Sequence, residues 1–421
     1  MKLPVAGLLL AVVALCALQS SVQFESKPRI VSKGRDPVLS VRASGALSLM
    51  KVDNGDLWVE TSFDGGDSFE EAIRVNDVPG EVSSHGESSP QMQVRSRGEF
   101  YCLWQTRRGG GDGSALRFAR SPGWGESFTK AIDVDASSSA SQSFFTMNVS
   151  PQGVIYAAWL DSRDRGQGRA GSSAVYIARS ANRGASFEPA QRVSLDVCPC
   201  CRPAIAFGSG QTVYVSWRGV QDGNIRDIYV AASRDGGAEW GSARRVAEDN
   251  WALNGCPHSG ATMATIGDRL FVSWHTVRDQ QPRLYLATSD DIAQTFSSRH
   301  DLTGGEVIDP NHPVLQRAGD RLALVFQGRA TREKEGWGPI GAYYREIDAE
   351  GRLSPLLRIA NAQGSASYPT LAFEEPGRIY IAWTEPIKDE RAIVLARGRR
   401  STRPVEASPP AASGKVSSRA R

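Results

Sequence analysis

The sequence predicts an all-β fold, a β-propeller of four-stranded blades, and three observations carry that expectation. An octet of the form Ser-x-Asp-Gly-Gly-x-Ser-Phe returns along the chain, and a strand ending in a bulky residue returns with a similar period. The 42 glycines and 10 tryptophans among 421 residues come with almost no long helical periodicity. With 40% hydrophobic residues, a chain of this length buries a substantial core.

The fullest octet is Ser62-Phe63-Asp64-Gly65-Gly66-Asp67-Ser68-Phe69. Its serine and aspartate suit hydrogen bonds to local amides, its glycine pair supplies positive φ, and its aromatic ring packs back on the turn. Versions start at Ser121, Ser180, Ser233 and Ser289, with a worn copy near Asp348, and successive copies stand 53 to 59 residues apart. A repeat of that length with four short strands is one blade.

The second element fixes the number of blades. Strands run from Leu47 to Met50, Phe100 to Trp104, Val154 to Trp159, Val213 to Trp217, Leu270 to Trp274, Leu322 to Phe326 and Ile379 to Trp383, each preceded by an apolar strand. Those preceding strands open at Pro37, Pro90, Phe145, Pro203, Gly260, Pro313 and Pro369, so seven blades are favoured over six. The last unit lacks a fourth strand. Phe24 to Val31 reads like Phe187 to Ser194, an outer strand, so an N-terminal strand is expected to close the last blade and remove an open edge.

The ends read differently from the middle. Lys2 and the apolar run Leu8 to Leu18 fit a signal peptide over residues 1–22 and are too short to span a membrane. Export to the periplasm or medium is expected, with lipid anchoring at Cys16 the less favoured alternative. The propeller is expected over 23–397, and 398–421 reads as a disordered basic tail rich in Pro, Ser and Ala. The net charge of +3 is carried by that tail, which leaves the body slightly acidic and gives no electrostatic footprint for nucleic acid.

The octets resemble the Asp-box, or bacterial neuraminidase repeat, of the sialidase superfamily, and the resemblance covers nearly the whole chain between its two ends. It implies a scaffold whose Asp-boxes lie on the face opposite the active site. Residue by residue, Gly34-Arg35-Asp36-Pro37 is similar to the sialidase motif whose arginine holds a sugar carboxylate, which implies that role for Arg35. Ser367-Tyr368-Pro369-Thr370-Leu371 is similar to the context of the nucleophilic tyrosine, which implies Tyr368, and the acid aspartate would be Asp53 or Asp56. Sialidases have six blades, however, and no counterpart of the cysteine loop described next. No glutamate could be assigned to activate Tyr368, a step the retaining mechanism requires.

Strand order puts the loops entering each inner strand and leaving each Trp-ended strand on one face, where side chains converge on the ring axis. Cys198-Pro199-Cys200-Cys201-Arg202-Pro203 enters the fourth inner strand, and Asn254-Gly255-Cys256-Pro257-His258 enters the fifth. Adjacent inner strands lie side by side, so the two loops should meet. His312, His275 and His85 fall on the same face, beside Arg202, Arg218 and Arg226, whereas Cys102 lies within a strand and reads as a core thiol. Thiolate and imidazole together suit copper or zinc, and Cys198, Cys200, Cys201, Cys256, His258, His275 and His312 are the candidate ligands. The Cys-x-Cys-Cys spacing is not that of a zinc finger, and a disulfide from Cys256 to Cys198 or Cys200 is the competing expectation.

Three functions stand open at this level. The cluster binds a thiophilic metal or does thiol chemistry; or the chain is an exo-glycosidase for acidic sugars, with Arg35, Asp53 and Tyr368 catalytic; or it is a binding or assembly propeller. A small molecule or glycan on the axial face is the expected ligand, and whether the chain is an enzyme is left open.

Overall fold

The computed structural model describes residues 22–401 except 108–112, 170, 331, 334–335, 362–363 and 376. The signal peptide expected over 1–22 lies outside the described residues up to residue 21, as do Cys16 and the tail beyond residue 401. Seven antiparallel sheets, in chain order, form the blades of a propeller. The inner strands are Arg35–Val41, Gln91–Val94, Gln142–Val149, Ala204–Phe207, Thr262–Ile266, Ile308–Ala318 and Ser367–Glu374. Each contacts the inner strand of the next blade, and the seventh contacts the first, so the ring is closed. Among the described residues one 3-10 turn, Asp222–Asn224, interrupts the β-structure. No helix among the described residues is long and apolar enough to cross a membrane.

Closure at the seventh blade uses the N-terminal segment in two pieces. Val22–Phe24 and Arg29–Lys33 both pair with Glu390–Arg400, in registers that set Val22 opposite Arg400 and Ile30 opposite Val394. The expected single strand from Phe24 to Val31 is broken between them. Pro28, which has no N–H to give to the ladder, stands just before the second piece. The partner strand runs to Arg400, three residues past the expected end of the domain at 397, because Val22–Phe24 pairs along it.

The Asp-box turns hold themselves together. Ser62 Oγ accepts Gly66 N–H at 2.8 Å, and Asp64 Oδ1 accepts the amides of Asp67 and Ser68, both at 2.9 Å. The degenerate copies keep the same geometry with other residues. Asn182 takes the aspartate's place for Ser186 N–H at 3.1 Å, and Ala293 takes the glycine's place at φ 57° while its amide donates to Ser289 Oγ at 3.0 Å.

Buried tryptophans fill the spaces between blades, among them Trp104, Trp159, Trp274 and Trp383. Register corrects one alignment in the first blade. Trp159 faces Tyr176, Trp217 faces Tyr229 and Trp274 faces Tyr285, and the residue in that place in blade one is Lys51, facing Trp58, rather than Met50. Lys51 is buried because its ammonium pairs with Glu60 and donates to Ser32. A buried charge is tolerated only with such partners.

Candidate functional site

Four inner strands begin with the same irregularity. The pairing slips between Arg35 and Val38, Ser143 and Thr146, Asn311 and Val314, and Ser367 and Thr370. The residue after the first of each pair is left-handed: Asp36 at φ 55°, Phe144 at 48°, His312 at 50° and Tyr368 at 50°. A bulge re-aims the side chain it carries, and non-glycine residues in this conformation concentrate at functional sites. Proline follows at 37, 313 and 369, where the bulge removes the need for a ladder hydrogen bond. Two of the re-aimed side chains, His312 and Tyr368, meet each other, and a third, Phe144, meets two histidines. His312 and Tyr368 rings lie 4.4 Å apart, and Phe144 stands between His85 at 5.7 Å and His258 at 6.2 Å.

Glu87, in the loop entering blade two, links the entrances of three other blades. Its Oε2 accepts the amides of Arg202 at 3.0 Å and Gly260 at 2.8 Å, and its Oε1 pairs with His312 Nδ1 at 3.1 Å. Its carbonyl accepts Arg202 Nε at 2.7 Å. Burial alone would raise its carboxyl pKa, but the His312 hydrogen bond and the His312 and Arg202 charges hold it below the usual range. Arg202 adjoins Cys201, and Gly260 lies two residues after His258. The two cysteine loops are thus tied to one carboxylate.

Cys198 follows the outer strand of blade three, Gln191–Val197, and its amide donates to Arg218 O at 2.8 Å. The turn through Pro199 then gathers three sulfurs. Cys198 Sγ lies 3.6 Å from Cys200 Sγ and 3.8 Å from Cys201 Sγ, and all three residues are buried. Arg226 Nη1 reaches Cys198 Sγ at 3.1 Å. The Cys198 thiol is held well below its usual range by hydrogen bonds from Cys200 and Cys201, helped by the charges of Arg218 and Arg226, while the pKa values of Cys200 and Cys201 are raised. Cys200 also belongs to a second group with Cys256 and His258, whose ligand atoms all lie within 4.8 Å of one another. Cys256 and His258 are exposed.

Arg218 is buried and donates to the carbonyls of Arg226, Ser259 and His275 at 2.7 to 2.9 Å. Among the described residues neither Arg218 nor Arg226 has a carboxylate partner, so two buried cations flank the sulfurs. The disulfide expected with Cys256 is not formed: Cys102, Cys198, Cys200, Cys201 and Cys256 are all free. Cys102 is buried within its strand, and burial raises its pKa.

Two candidate ligands stand outside both groups. His275 shares Arg269–Arg278 with Trp274, and that strand is buried on both faces, so the imidazole enters the core. There its Nδ1 meets Pro310 O at 2.7 Å, and burial, with Arg218 nearby, pushes its pKa down to about 3. His312 is engaged by Glu87 and Tyr368 instead. A separate cavity of about 510 Å³, lined by Arg95, Asn148, Thr265 and Arg317, lies at the opposite ends of the inner strands.

No protein family and no curated protein matches this sequence. Solved structures do match. An ulvan lyase, a polysaccharide lyase solved bound to -[GlcA(1-4)Rha3S]-, aligns over 88% of this chain and 95% of its own, at 9% identity and TM-score 0.58. A protein of unknown function from Dyadobacter fermentans aligns over 76% and 97%, at 14% identity and 0.53. A Hadza microbial sialidase aligns over 84% and 73%, at 12% identity and 0.50. The fold is a sialidase-like β-propeller.

Within this sialidase-like propeller the residues carried over by resemblance have local duties. Arg35 Nη1 pairs with Asp36 at 2.6 Å and donates to Ser84 O at 2.8 Å, and Arg35 lines a cleft of about 570 Å³ shared with Thr106 and Arg107. Tyr368 packs its hydroxyl against Gly86, and burial, then the charge of Glu87, raises its pKa. Asp53 ends the second strand of blade one, and Asp56 braces the following hairpin by accepting Asn76 Nδ2 at 2.7 Å and Gly80 N–H at 2.8 Å.

Glu87 was not among the expected residues. A lone glutamate in a loop carries no periodic signal, although its place two residues after His85 puts it on the expected face.

Proposed function

We propose that the protein is an exported sialidase-like propeller whose axial face binds a thiophilic metal ion through Cys198, Cys200, Cys201, Cys256 and His258. The sulfur spacing carries this reading. A tetrahedral ion with metal–sulfur bonds of about 2.3 Å sets its sulfurs roughly 3.8 Å apart, and Cys198 stands 3.6 and 3.8 Å from its two neighbours. The flanking guanidiniums of Arg218 and Arg226 supply counter-charge to thiolates, and Glu87 fixes the loops that carry them. Export is supported by the apolar run near the N-terminus, and copper and zinc both suit the donor set.

Elemental analysis and thiol titration of reduced, chelator-free protein test the proposal. The expected result is about one equivalent of bound metal, lost in Cys200→Ser, which removes a donor common to both groups. Metal-free protein with few titratable thiols would refute it.

A second reading concerns the cleft beside Arg35. Its two arginines, Arg35 and Arg107, suit the carboxylate of an acidic sugar, and the ulvan lyase of like fold was solved with a GlcA-containing glycan. Glucuronate oligosaccharides should bind, and Arg35→Ala should weaken binding at least about tenfold, the scale of one charge-assisted hydrogen bond. Equal binding by wild type and variant would dismiss this reading.

A further inference from the structure

We infer that the cluster is two overlapping stations for Cu(I): an outer one of Cys200, Cys256 and His258, where the ion enters, and an inner one of Cys198, Cys200 and Cys201, where it is kept. This rests on the metal-binding reading above and adds the ion's oxidation state and its route.

Burial sets the direction. Cys256 and His258 are exposed, whereas Cys198, Cys200 and Cys201 are 0%, 3% and 0% exposed, so an ion arriving from solvent meets the outer donors first. Cys200 belongs to both groups, and an ion held by it can pass inward without being released.

Charge and donor number set the ion. Cu(I) with three thiolates carries a charge of −2, which the two buried guanidiniums of Arg218 and Arg226 balance. Zn(II) with the same three ligands carries −1 and wants a fourth donor, which the inner group does not supply among the described residues. Soft sulfur donors favour Cu(I).

The exchange balances. A Cu(I) ion leaving a labile carrier binds Cys200 and Cys256 sulfur and the His258 imidazole, and two thiol protons pass to water. Cys198, beside Arg226, and Cys201 then each give up a proton and replace Cys256 and His258 at the ion. One of those protons returns to Cys256 and the other passes to water. No electron moves.

The test loads reduced apo-protein with Cu(I) from its complex with a chromophoric chelator and follows the rate and the equilibrium separately. Wild type should hold one equivalent. Cys256→Ser with His258→Ala should still hold one equivalent with affinity within about tenfold of wild type, but load at least about tenfold more slowly. Cys201→Ser should load as fast as wild type and hold the ion at least about a hundredfold more weakly, since losing a donor costs more than the roughly 10–100-fold typical of losing a residue that only orients one; Cys198→Ser replaces it if that variant does not fold. Equal losses of affinity in both variants with unchanged rates would mean one shared site and overturn the two stations. Copper-free wild type would overturn the metal reading itself, which is a separate failure.

Discussion

Glu87 and Arg202 are 115 residues apart in sequence and joined twice in space: Glu87 Oε2 accepts the Arg202 amide at 3.0 Å, and Glu87 O accepts Arg202 Nε at 2.7 Å. The same carboxylate takes the amide of Gly260 at 2.8 Å. One side chain from blade two thus sets the separation of the loops from blades four and five that carry the sulfurs.

Removing that carboxylate should be costly. Glu87→Ala leaves Arg202 N–H and Gly260 N–H without an acceptor and His312 without its partner, and breaking a buried charged network costs on the order of 3–5 kcal/mol. Glu87→Gln keeps one oxygen for the amides and should cost less, about 1–2 kcal/mol. Metal affinity should fall about 10–100-fold in Glu87→Ala, as for other residues that orient ligands. Urea unfolding and metal competition measure both; unchanged values would deny Glu87 this role.

Acid should destabilise the protein in two steps. His275 is kept neutral by burial, with a pKa near 3 against an ordinary 6.5. Its contribution is complete above 6.5 and lost as pH falls toward 3, by up to about 1.4 kcal/mol per pH unit. Glu87, whose pKa is also lowered, contributes fully above its ordinary 4.5 and loses that contribution as pH falls through its folded value. Unfolding free energy measured from pH 7.5 to 4 should decline below 6.5, and His275→Gln should flatten the first part of the decline. A profile identical to wild type would contradict the neutral, buried imidazole.

Gly86 and Tyr368 should be coupled. A Cβ at Gly86 would stand 2.9 Å from the Tyr368 hydroxyl, and Gly86 has φ +51°. Gly86→Ala should cost about 1–3 kcal/mol. Tyr368→Phe removes the clashing oxygen and should recover part of that loss while changing stability little by itself. Thermal unfolding of the two single variants and the double variant decides it, and strict additivity would exclude the contact.

The fold was legible because its signals are local. Asp-boxes cap their own turns, and bulky strand ends fill the space between blades, so both survive in a single sequence. Degenerate copies were readable to the extent that Asn182 and Ala293 still occupy the places of aspartate and glycine. Meeting of the two cysteine loops followed from adjacent blades. Glu87 did not, because its partners Arg202, Gly260 and His312 lie 115 to 225 residues away and no local pattern joins them. The sequence places His275 on the axial face because it follows Trp274, yet a strand buried on both sides carries neither residue to the surface. The burial of Lys51 is not legible for a related reason: it depends on Glu60 and Ser32 rather than on the residue's own character.

X-ray absorption at the metal edge of the loaded, reduced protein tests metal binding by the cysteine cluster most directly. The account predicts a first shell dominated by sulfur at about 2.3 Å, lost in Cys200→Ser. A shell of nitrogen and oxygen alone, unchanged in that variant, would contradict it.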